Sequence, residues 1–287
     1  QKIRNIFQKY VPVDVIDQFM NRPESMLVGD SRILAVLFSD IRGFTRISES
    51  MAPEQIVESL NTYFTEMVDI VLKRNGIVDK YIGDAIMAFF GAPVKHDDDV
   101  SQAVHTGFDM LETLESFNAK QAKRNRPQFR IGIGLNYGLV TVGNIGSEKK
   151  MDYTVIGDMV NLASRLEQLT KIYDVPFLIS ESVYARVKKE IPCRMIDKVK
   201  VKGKTQGTRI FYPKKRISKA ETKGWKLHHM GLNLYYKREF DKAIKYFVYA
   251  REFLENDPIL PIYLNRCKNF VKTPPPKGWE GYSVLSE

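Results

Sequence analysis

The order of buried strands and long helices is the feature that most constrains the fold of this chain. Residues Ile33–Ser39 are nearly all apolar, which predicts a strand buried on both faces. Gly83-Asp84 separates the runs Ile77–Ile82 and Ala85–Phe90 and is typical of a two-residue hairpin turn. Because such strands alternate with long helical patterns, we expect an α+β fold in which a mixed β-sheet is covered by helices.

Three helical patterns lie between the strands. Pro53 begins a long amphipathic helix that ends at Gly76, with an apolar stripe formed by Ile56, Leu60, Phe64, Met67 and Val71. Further helices are predicted at about 97–123 and 159–172. Two short strands, near Phe129–Leu135 and Leu139–Ile145, are predicted between these helices.

The pattern becomes entirely helical from Lys214 onward. The spacing of small and aromatic residues there resembles a tetratricopeptide (TPR) helix pair, through Gly231, Tyr235, Phe240, Ala243, Phe247, Ala250, Leu254 and Pro258. Pro274-Pro275-Pro276 is expected to end the ordered part. We therefore divide the chain into a helix with its connector at 1–30, a main domain at 31–213 and an all-helical, TPR-like tail at 214–287.

Composition excludes several classes of protein. With 44% hydrophobic and 27% charged residues among 287, the chain is too apolar for intrinsic disorder. Its two cysteines form neither a disulfide framework nor a metal motif, which favours a reducing, cytoplasmic location. No apolar run approaches the roughly 20 residues that cross a bilayer. Because the first residue is Gln1, we expect a piece of a longer protein, whose remainder can still be membrane-anchored.

The net charge of +10 comes from one stretch of the chain. Residues Arg194–Lys226 contain twelve Lys or Arg against Asp197 and Glu221, so the remainder sums to zero. A general nucleic-acid binder spreads basic residues over a face or carries a recognised motif, and neither is found here. We expect no nucleic-acid partner. The cluster suits a small polyanion, an acidic surface or simply a solvated strand and linker.

Three familiar site patterns are incomplete. Gly203-Lys204-Thr205 resembles the end of a phosphate-binding loop, but Lys198 occupies the position of its first glycine. Gly132 and Gly134 lack the third glycine of a dinucleotide fingerprint and fall within a predicted strand. His96 precedes the aspartates 97–99, which we interpret as acidic residues favoured by the dipole at a helix start rather than as metal ligands.

Two aspartates are better placed for chemistry. Asp40 follows the first buried strand and precedes a turn of small residues, and Asp84 lies in the hairpin turn. Carboxylates at strand ends, beside outward-facing backbone N–H groups, can hold a divalent metal together with phosphate oxygens. Turn aspartates also serve local hydrogen bonding, so spacing alone leaves both interpretations open.

Four blocks of residues resemble, in the same order, the signature blocks of the class III nucleotidyl cyclases. They are FSDIRGFT at Phe38–Thr45, KYIGD at Lys80–Asp84, VNLASR at Val160–Arg165 and VKGK at Val201–Lys204. The resemblance covers about 32–213 and implies the ferredoxin-like, palm-type fold of that family. The segment Phe7–Pro12 is similar to the helix that joins such domains to an upstream sensor or membrane module.

The resemblance implies a reaction and its cofactors. These enzymes cyclise a nucleoside triphosphate by attack of the ribose 3′-oxygen on the α-phosphorus, with loss of pyrophosphate. Two divalent cations, Mg²⁺ or Mn²⁺, would be held by Asp40, Asp84 and the carbonyl of Ile41. The backbone that cradles the terminal phosphates would be that of Gly43, Phe44 and Thr45.

Further residues are implied on the remaining blocks. Asn161 would orient the ribose and Arg165 would stabilise charge on the α-phosphate, and their i,i+4 spacing places both on one helix face. A pair of surface polar residues is the alternative interpretation. Lys202 or Lys204 would reach the β- and γ-phosphates, and the pattern does not choose between them. Leu139 stands where some family members have a phosphate-binding Arg.

The base preference implied by the resemblance depends on two positions. Lys80 would face the N1 edge of adenine, where guanylate-specific relatives carry an acid. Thr154 stands where many adenylate cyclases have Asp, and its hydroxyl can accept from the adenine amino group. We therefore expect ATP as the substrate.

The family geometry also implies a homodimer, since it places the metal aspartates on one subunit and Asn161 with Arg165 on the other. The function expected is that of an adenylate cyclase. A guanylate cyclase and a catalytically silent, dimeric signalling module are the alternatives, although neither the metal aspartates nor the Asn/Arg pair is lost here.

Overall fold

The computed structural model describes residues 29–147, 149–200 and 207–284. The chain forms two compact units, Gln1–Gln168 and Leu169–Glu287. The helix and connector predicted at 1–30 fall almost entirely outside the described residues, as do Lys202 and Lys204. Within the described ranges, every helix is too short or too polar to cross a membrane.

The first unit alternates strands and helices. Its elements in chain order are β1 (Asp30–Ile41), α1 (Phe44–Glu49), α2 (Pro53–Lys73), β2 (Gly76–Ile82), β3 (Ala85–Phe90), α3 (Asp99–Lys123), β4 (Ile131–Ser147), β5 (Lys150–Ile156) and the greater part of α4 (Asp158–Tyr173). The strands have the order β2-β3-β1-β4, β5 pairs with β4, and all these pairs are antiparallel.

Strand β1 is the centre of this sheet. It pairs with β3 on one side and with β4 on the other, from Asp30 opposite Val142 to Ile41 opposite Ile131. Residues 34–38 are buried, as the apolar run predicts. The pairing with β4 continues to the last residue of β1 and so fixes the position of the backbone at Asp40.

Helix α2 confirms the predicted bounds but not the predicted face. Pro53 stands in its first turn, and its buried hydrophobic residues are Tyr63, Met67, Ile70 and Val71. Ile56, Leu60 and Phe64 of the predicted stripe are only half-buried. The helix is therefore rotated toward Tyr63 and Ile70, because the large ring of Tyr63 packs against Phe117 and Phe129.

Strand β4 is one continuous element where two short strands were predicted. The gap between the two predicted strands falls on Asn136-Tyr137-Gly138. In the structure the Asn136 amide donates to the carbonyl of Met159 at 2.9 Å. A Cβ on Gly138 would lie 2.5 Å from the Met159 sulfur. Asn136 thus bonds to α4 and Gly138 allows α4 to pack closely, while the strand continues through both residues.

The second unit combines a small sheet with the helices of the tail. Its elements are β6 (Phe177–Ser180), α5 (Glu181–Val187), β7 (Cys193–Lys200), β8 (Thr208–Pro213), α6 (Lys219–Tyr236), α7 (Phe240–Arg251), α8 (Ile259–Lys272) and β9 (Ser283–Val284). The strand order is β6-β8-β7-β9. The β7–β9 pair is parallel and the others are antiparallel.

The tail is helical as predicted up to Lys272, and its likeness to a TPR pair stays a prediction. Helices α6 and α7 pack closely, since a Cβ on Gly231 would lie 2.6 Å from the Phe247 ring. The expectation that the prolines end the ordered part is wrong. Arg238 donates to the carbonyls of Pro275 and Pro276, Trp279 packs on Tyr235, and β9 follows.

Candidate active site

The carboxylates of Asp40 and Asp84 lie together at one end of the first unit's sheet. Asp40 is near the end of β1, and Asp84 occupies the turn between β2 and β3. Both residues are half-buried. Burial first, and then the neighbouring Asp40 carboxylate, raise the pKa of Asp84 to about 6. Two ionised carboxylates so close repel each other unless a cation lies between them.

Two buried hydroxyl groups lie near this pair. Ser39 and Tyr63 are completely buried. Burial raises the pKa of the Tyr63 phenol, and the negative charges of Asp40 and Asp84 raise it further. Tyr63 therefore stays neutral beside the carboxylates. The sequence analysis did not single out Tyr63, because on the α2 pattern alone it falls outside the predicted apolar stripe.

Two glycines with left-handed backbones flank the aspartates. Gly43 precedes α1 with φ of 68°, and Gly83 precedes Asp84 in the hairpin turn with φ of 65°. Apart from the adjacent residues in the chain, no atom of the described residues lies within 4 Å of a Cβ built on either glycine. The backbone next to both carboxylates is thus open to a close approach by a ligand, which fits the predicted phosphate-binding role of Gly43, Phe44 and Thr45.

The donor set at this end of the sheet fits a divalent cation. One oxygen of Asp84, Oδ2, is buried without a hydrogen-bond partner among the described residues. Carboxylate oxygens are the ligands that Mg²⁺ prefers, usually one or two of them together with substrate phosphates. The described residues include no group of three His, Cys, Asp or Glu side chains placed to hold a metal. A two-carboxylate site completed by a substrate is consistent with both observations.

Asn161 and Arg165 lie one turn apart on α4. The opposite side of this helix packs on β4, where a Cβ on Gly134 would lie 2.3 Å from the Ala163 carbonyl. Asn161 is exposed and Arg165 is half-buried. Asp40 and Asp84, by contrast, lie near the end of β1 and in the β2–β3 turn. One chain therefore carries two separate groups of predicted site residues.

Lys80 and Thr154 meet through a residue that sequence reasoning missed. The hydroxyl of Thr154 donates to Asp79 Oδ2 at 2.6 Å, and Lys80 Nζ lies 3.3 Å from Asp79 Oδ1. Burial raises the pKa of Asp79, and the hydrogen bond from Thr154 and the charge of Lys80 oppose that shift. An acid beside Lys80 in an otherwise apolar strand is the signal that would have drawn attention to it.

Several residues of the basic cluster are engaged with partners inside the second unit. Arg194 is buried and pairs with Asp257. Lys198 lies 4.1 Å from the centre of the Tyr236 ring. Two further ion pairs are Arg209–Glu181 and Lys214–Glu221. These residues do not form a continuous unpaired basic face.

The acidic run after His96 has the structural role that the sequence indicates. Helix α3 begins at Asp99, and the Asp99 carboxylate accepts a hydrogen bond from the backbone N–H of His96 at 2.9 Å. Asp99 is buried. The run orders the start of a helix, and a metal site is not needed to explain it.

The family of the chain follows from a comparison with known catalytic domains. A model of the adenylate and guanylate cyclase catalytic domain matches residues 29–215, which include both aspartates and the Asn161/Arg165 face. The chain belongs to the class III nucleotidyl cyclases. Its mixed sheet with flanking helices matches the solved structures of this family.

Individual class III cyclases are similar over most of the chain. An adenylate cyclase of Anabaena cylindrica is 38% identical over 221 residues, which are 74% of this chain and 43% of the relative. The crystal structure of the adenylyl cyclase CyaB from P. aeruginosa is 36% identical, with a TM-score of 0.63, and covers 66% of this chain and 97% of that chain. The guanylyl cyclase Cya2 is also 36% identical, with a TM-score of 0.60, and covers 64% and 93%.

The chain spans less than half the length of the curated relatives that it matches. The sequence identity of the chain is 36% to both the adenylyl cyclase and the guanylyl cyclase structure. The choice between adenine and guanine therefore has to be argued from the residues that would face the base.

Proposed function

We propose that this class III cyclase is an adenylate cyclase that converts ATP to 3′,5′-cyclic AMP and pyrophosphate at the interface of a homodimer. The observation that carries the proposal is the pair of carboxylates Asp40 and Asp84, held side by side where the family signature has its metal ligands. Their mutual repulsion indicates a site built for positive charge.

Two divalent cations, Mg²⁺ or Mn²⁺, would be held by Asp40, Asp84 and the Ile41 carbonyl, and would lower the pKa of the ribose 3′-hydroxyl and neutralise the leaving pyrophosphate. The residues of the chain provide the position and the charge. β1 and the β2–β3 hairpin hold the two carboxylates on a rigid sheet. The open backbone beside Gly43 allows phosphate oxygens to approach them.

The cyclisation requires that Asn161 and Arg165 orient the ribose and stabilise the α-phosphate. The 3′-oxygen forms a bond to the α-phosphorus while the bond from that phosphorus to the β-phosphate oxygen breaks. Asn161 would hold the ribose so that the attack is in line, and Arg165 would stabilise the negative charge that grows on the α-phosphate. Their placement one turn apart on a packed helix allows both to act on one nucleotide. Lys202 or Lys204 would bind the β- and γ-phosphates. Leu139, which stands where some family members have a phosphate-binding Arg, cannot do so.

Lys80 and Thr154 support ATP over GTP. The ammonium group of Lys80 is a donor for N1 of adenine, and it is partly exposed, with 39% of its side chain accessible. The Thr154 hydroxyl can accept from the adenine 6-amino group. Guanine presents an N–H at position 1 and a carbonyl at position 6. Its N1–H would therefore face the Lys80 ammonium, so that two donors would oppose each other.

A second copy of the chain would bring the two groups of residues into one site. The first unit exposes large apolar residues on β1, β4 and β5, and Ile33 pairs directly with Leu139 in the sheet. Ile33, Leu139 and Ile156 are 47%, 61% and 51% exposed. Exposed apolar residues that adjoin one another are typical of a protein–protein interface. We propose that they face the partner subunit.

The remaining parts of the chain have proposed roles around this domain. The catalytic domain would comprise 31–213, the segment 1–30 would connect it to an upstream sensor or membrane module, and the TPR-like tail 214–287 would be regulatory. The catalytic part would lie in the cytoplasm, where ATP is supplied. No nucleic acid is expected as a partner.

Product analysis tests the proposal. Purified chain is incubated with ATP or GTP and with Mg²⁺ or Mn²⁺, at several protein concentrations, and cyclic nucleotides are separated by chromatography. We expect cyclic AMP from ATP and a specific activity that rises with concentration as dimers form. Cyclic GMP as the main product would favour the guanylate cyclase. No product with either nucleotide from a folded dimer would favour the silent signalling module.

A further inference from the structure

Asp79 has a buried side chain and lies in a strand that leads to the proposed site. It lies at a β-bulge in β2, where the register with β3 shifts between Val78 and Lys80. A bulge adds one residue to a strand and changes the direction of the side chains next to it. None of the Asp79 side chain is accessible to solvent. The bulge thus brings a carboxylate to Thr154 on β5.

The hydrogen bonds of Asp79 determine the orientation of the Thr154 hydroxyl. Asp79 Oδ2 accepts from Thr154 Oγ1 at 2.6 Å and from the backbone N–H of Val155 at 3.3 Å. The Lys80 ammonium, 3.3 Å from Oδ1, adds a positive charge. Burial raises the pKa of Asp79, and these groups oppose that shift by favouring the ionised carboxylate, which has lone pairs but no proton to donate. A separation of 2.6 Å is typical of an O–H···O⁻ bond, so the Thr154 proton points at Asp79.

We infer that Asp79 is a positioning residue that fixes the base preference of the nucleotide site, an inference that rests on the proposed function. A free hydroxyl can either donate to a base or accept from it. With its proton committed to Asp79, the Thr154 hydroxyl offers the base only lone pairs. Those lone pairs accept a hydrogen bond from a 6-amino group. The oxygen of a 6-oxopurine carries a negative partial charge and is repelled by them. Threonine in this position then discriminates as an acceptor would.

The inference is tested with two substrates that differ only at the edge concerned. ATP carries a 6-amino group and an unprotonated N1. Inosine triphosphate carries a 6-oxo group and an N1–H, and it lacks the 2-amino group of GTP. The quantity measured is the ratio of kcat/KM for ATP to kcat/KM for inosine triphosphate. Asp79→Leu removes the acceptor at similar volume and frees the Thr154 hydroxyl to donate to the 6-oxo group. We expect the ratio to fall about tenfold, the effect of one hydrogen bond.

A double-mutant cycle separates this role from a general structural one. In Thr154→Val there is no hydroxyl to orient. Asp79→Leu should then change the ratio by less than about twofold in the Thr154→Val background. An equal change in both backgrounds would overturn the inference, because Asp79 would be acting through Lys80 or through the fold. An unchanged ratio in Asp79→Leu itself would overturn it as well.

Asp79→Asn is the conservative control and also guards against a misfolded Asp79→Leu. Its amide oxygen can still accept from Val155 and from Thr154, so we expect it to keep the ratio within about twofold of the unchanged chain. Loss of discrimination in folded Asp79→Asn would show that the charge acts through Lys80, and would overturn the inference. Thermal unfolding and size-exclusion chromatography verify each variant.

Failure of the proposed function is distinguishable from failure of this inference. If the unchanged chain forms no cyclic nucleotide, the proposed function fails. The same cycle is then measured as dissociation constants for ATP and inosine triphosphate, by displacement of a fluorescent ATP analogue. A coupling between Asp79 and Thr154 in those constants supports the inference without turnover, and its absence overturns it.

Discussion

The guanidinium of Arg266 donates to the Asp197 carboxylate at 2.6 Å, which bonds the last long helix of the second unit to strand β7. Asp197 is completely buried and also accepts from Tyr173 at 2.6 Å and from Ser283 at 2.8 Å. A buried carboxylate with this many donors is stable only while they are present. The helical tail is thus part of the core of the second unit.

Removing Arg266 is expected to destabilise the second unit strongly. Arg266→Leu leaves Asp197 buried without its cation, which should cost about 3–5 kcal/mol of unfolding free energy. Lys242→Ala breaks an exposed ion pair with Glu239 and is the matched control, and it should change the unfolding free energy little. Urea unfolding monitored by circular dichroism measures both. Equal, small effects would contradict a structural role for the buried pair.

The two aspartates of the proposed metal site should be needed for turnover but not for folding. Asp40→Ala or Asp84→Ala removes a shared ligand from a half-buried position, and we expect a loss of about 10³-fold or more in kcat. Asp69→Ala, on the exposed side of α2, is the control and should be fully active. Rates are compared after thermal unfolding and chromatography have shown intact dimers. Substantial activity in either site variant would rule out the two-metal assignment.

His228 should make the second unit sensitive to acid. Its Nδ1 accepts from Arg194 Nε at 3.2 Å, and its ring lies against Phe247 and Tyr263. Burial first, and then the charges of Arg194 and His229, hold the pKa of His228 well below its ordinary value. The unfolded chain therefore binds a proton near pH 6.5 that the folded chain does not bind, so stability falls as the pH falls below that value.

The expected loss from this histidine is about 1.4 kcal/mol between pH 7.5 and 5.5. His228→Gln keeps an acceptor for Arg194 but does not titrate, so its stability should fall less over the same range. His229→Gln removes only the smallest of the named causes, so most of the pH dependence should remain. Urea unfolding at pH 7.5 and 5.5 measures the unfolding free energy of each protein. Parallel pH profiles for all three proteins would show that His228 does not carry the effect.

The sequence predicts those elements whose signals are local. The hairpin around Gly83-Asp84 and the start of α2 at Pro53 follow from residue types that act within a few positions. Asp40 and Asp84 could be placed together because each follows or joins a predicted strand. The continuity of β4 could not be predicted, since Asn136 and Gly138 are explained only by Met159 on a later helix.

The missed residues share that dependence on distant partners. Asp79 gains its role from a bulge and from Thr154, which is 75 positions away in the chain. The short strand β9 exists only because Ser283 and Val284 pair with β7. Local patterns hold no information on either pairing. Residues whose role is set by a tertiary hydrogen bond are thus the ones that sequence reasoning omits.

In the proposed dimer, one site is assembled from two chains, with Asp40 and Asp84 on one and Asn161 and Arg165 on the other. Asp40→Ala and Arg165→Ala homodimers should each be nearly inactive, the second by about 10²–10³-fold or more. The two variants are mixed under conditions in which subunits exchange, and cyclic AMP formation from ATP is measured. Each mixed dimer combines both lesions in one site and leaves the other site intact.

With random exchange in a symmetric dimer, about half of the dimers are mixed and each has one working site of two, so activity should recover to about a quarter of the unchanged chain. No recovery, when subunit exchange has been demonstrated with differently tagged chains, would contradict a shared site and would place catalysis within a single chain.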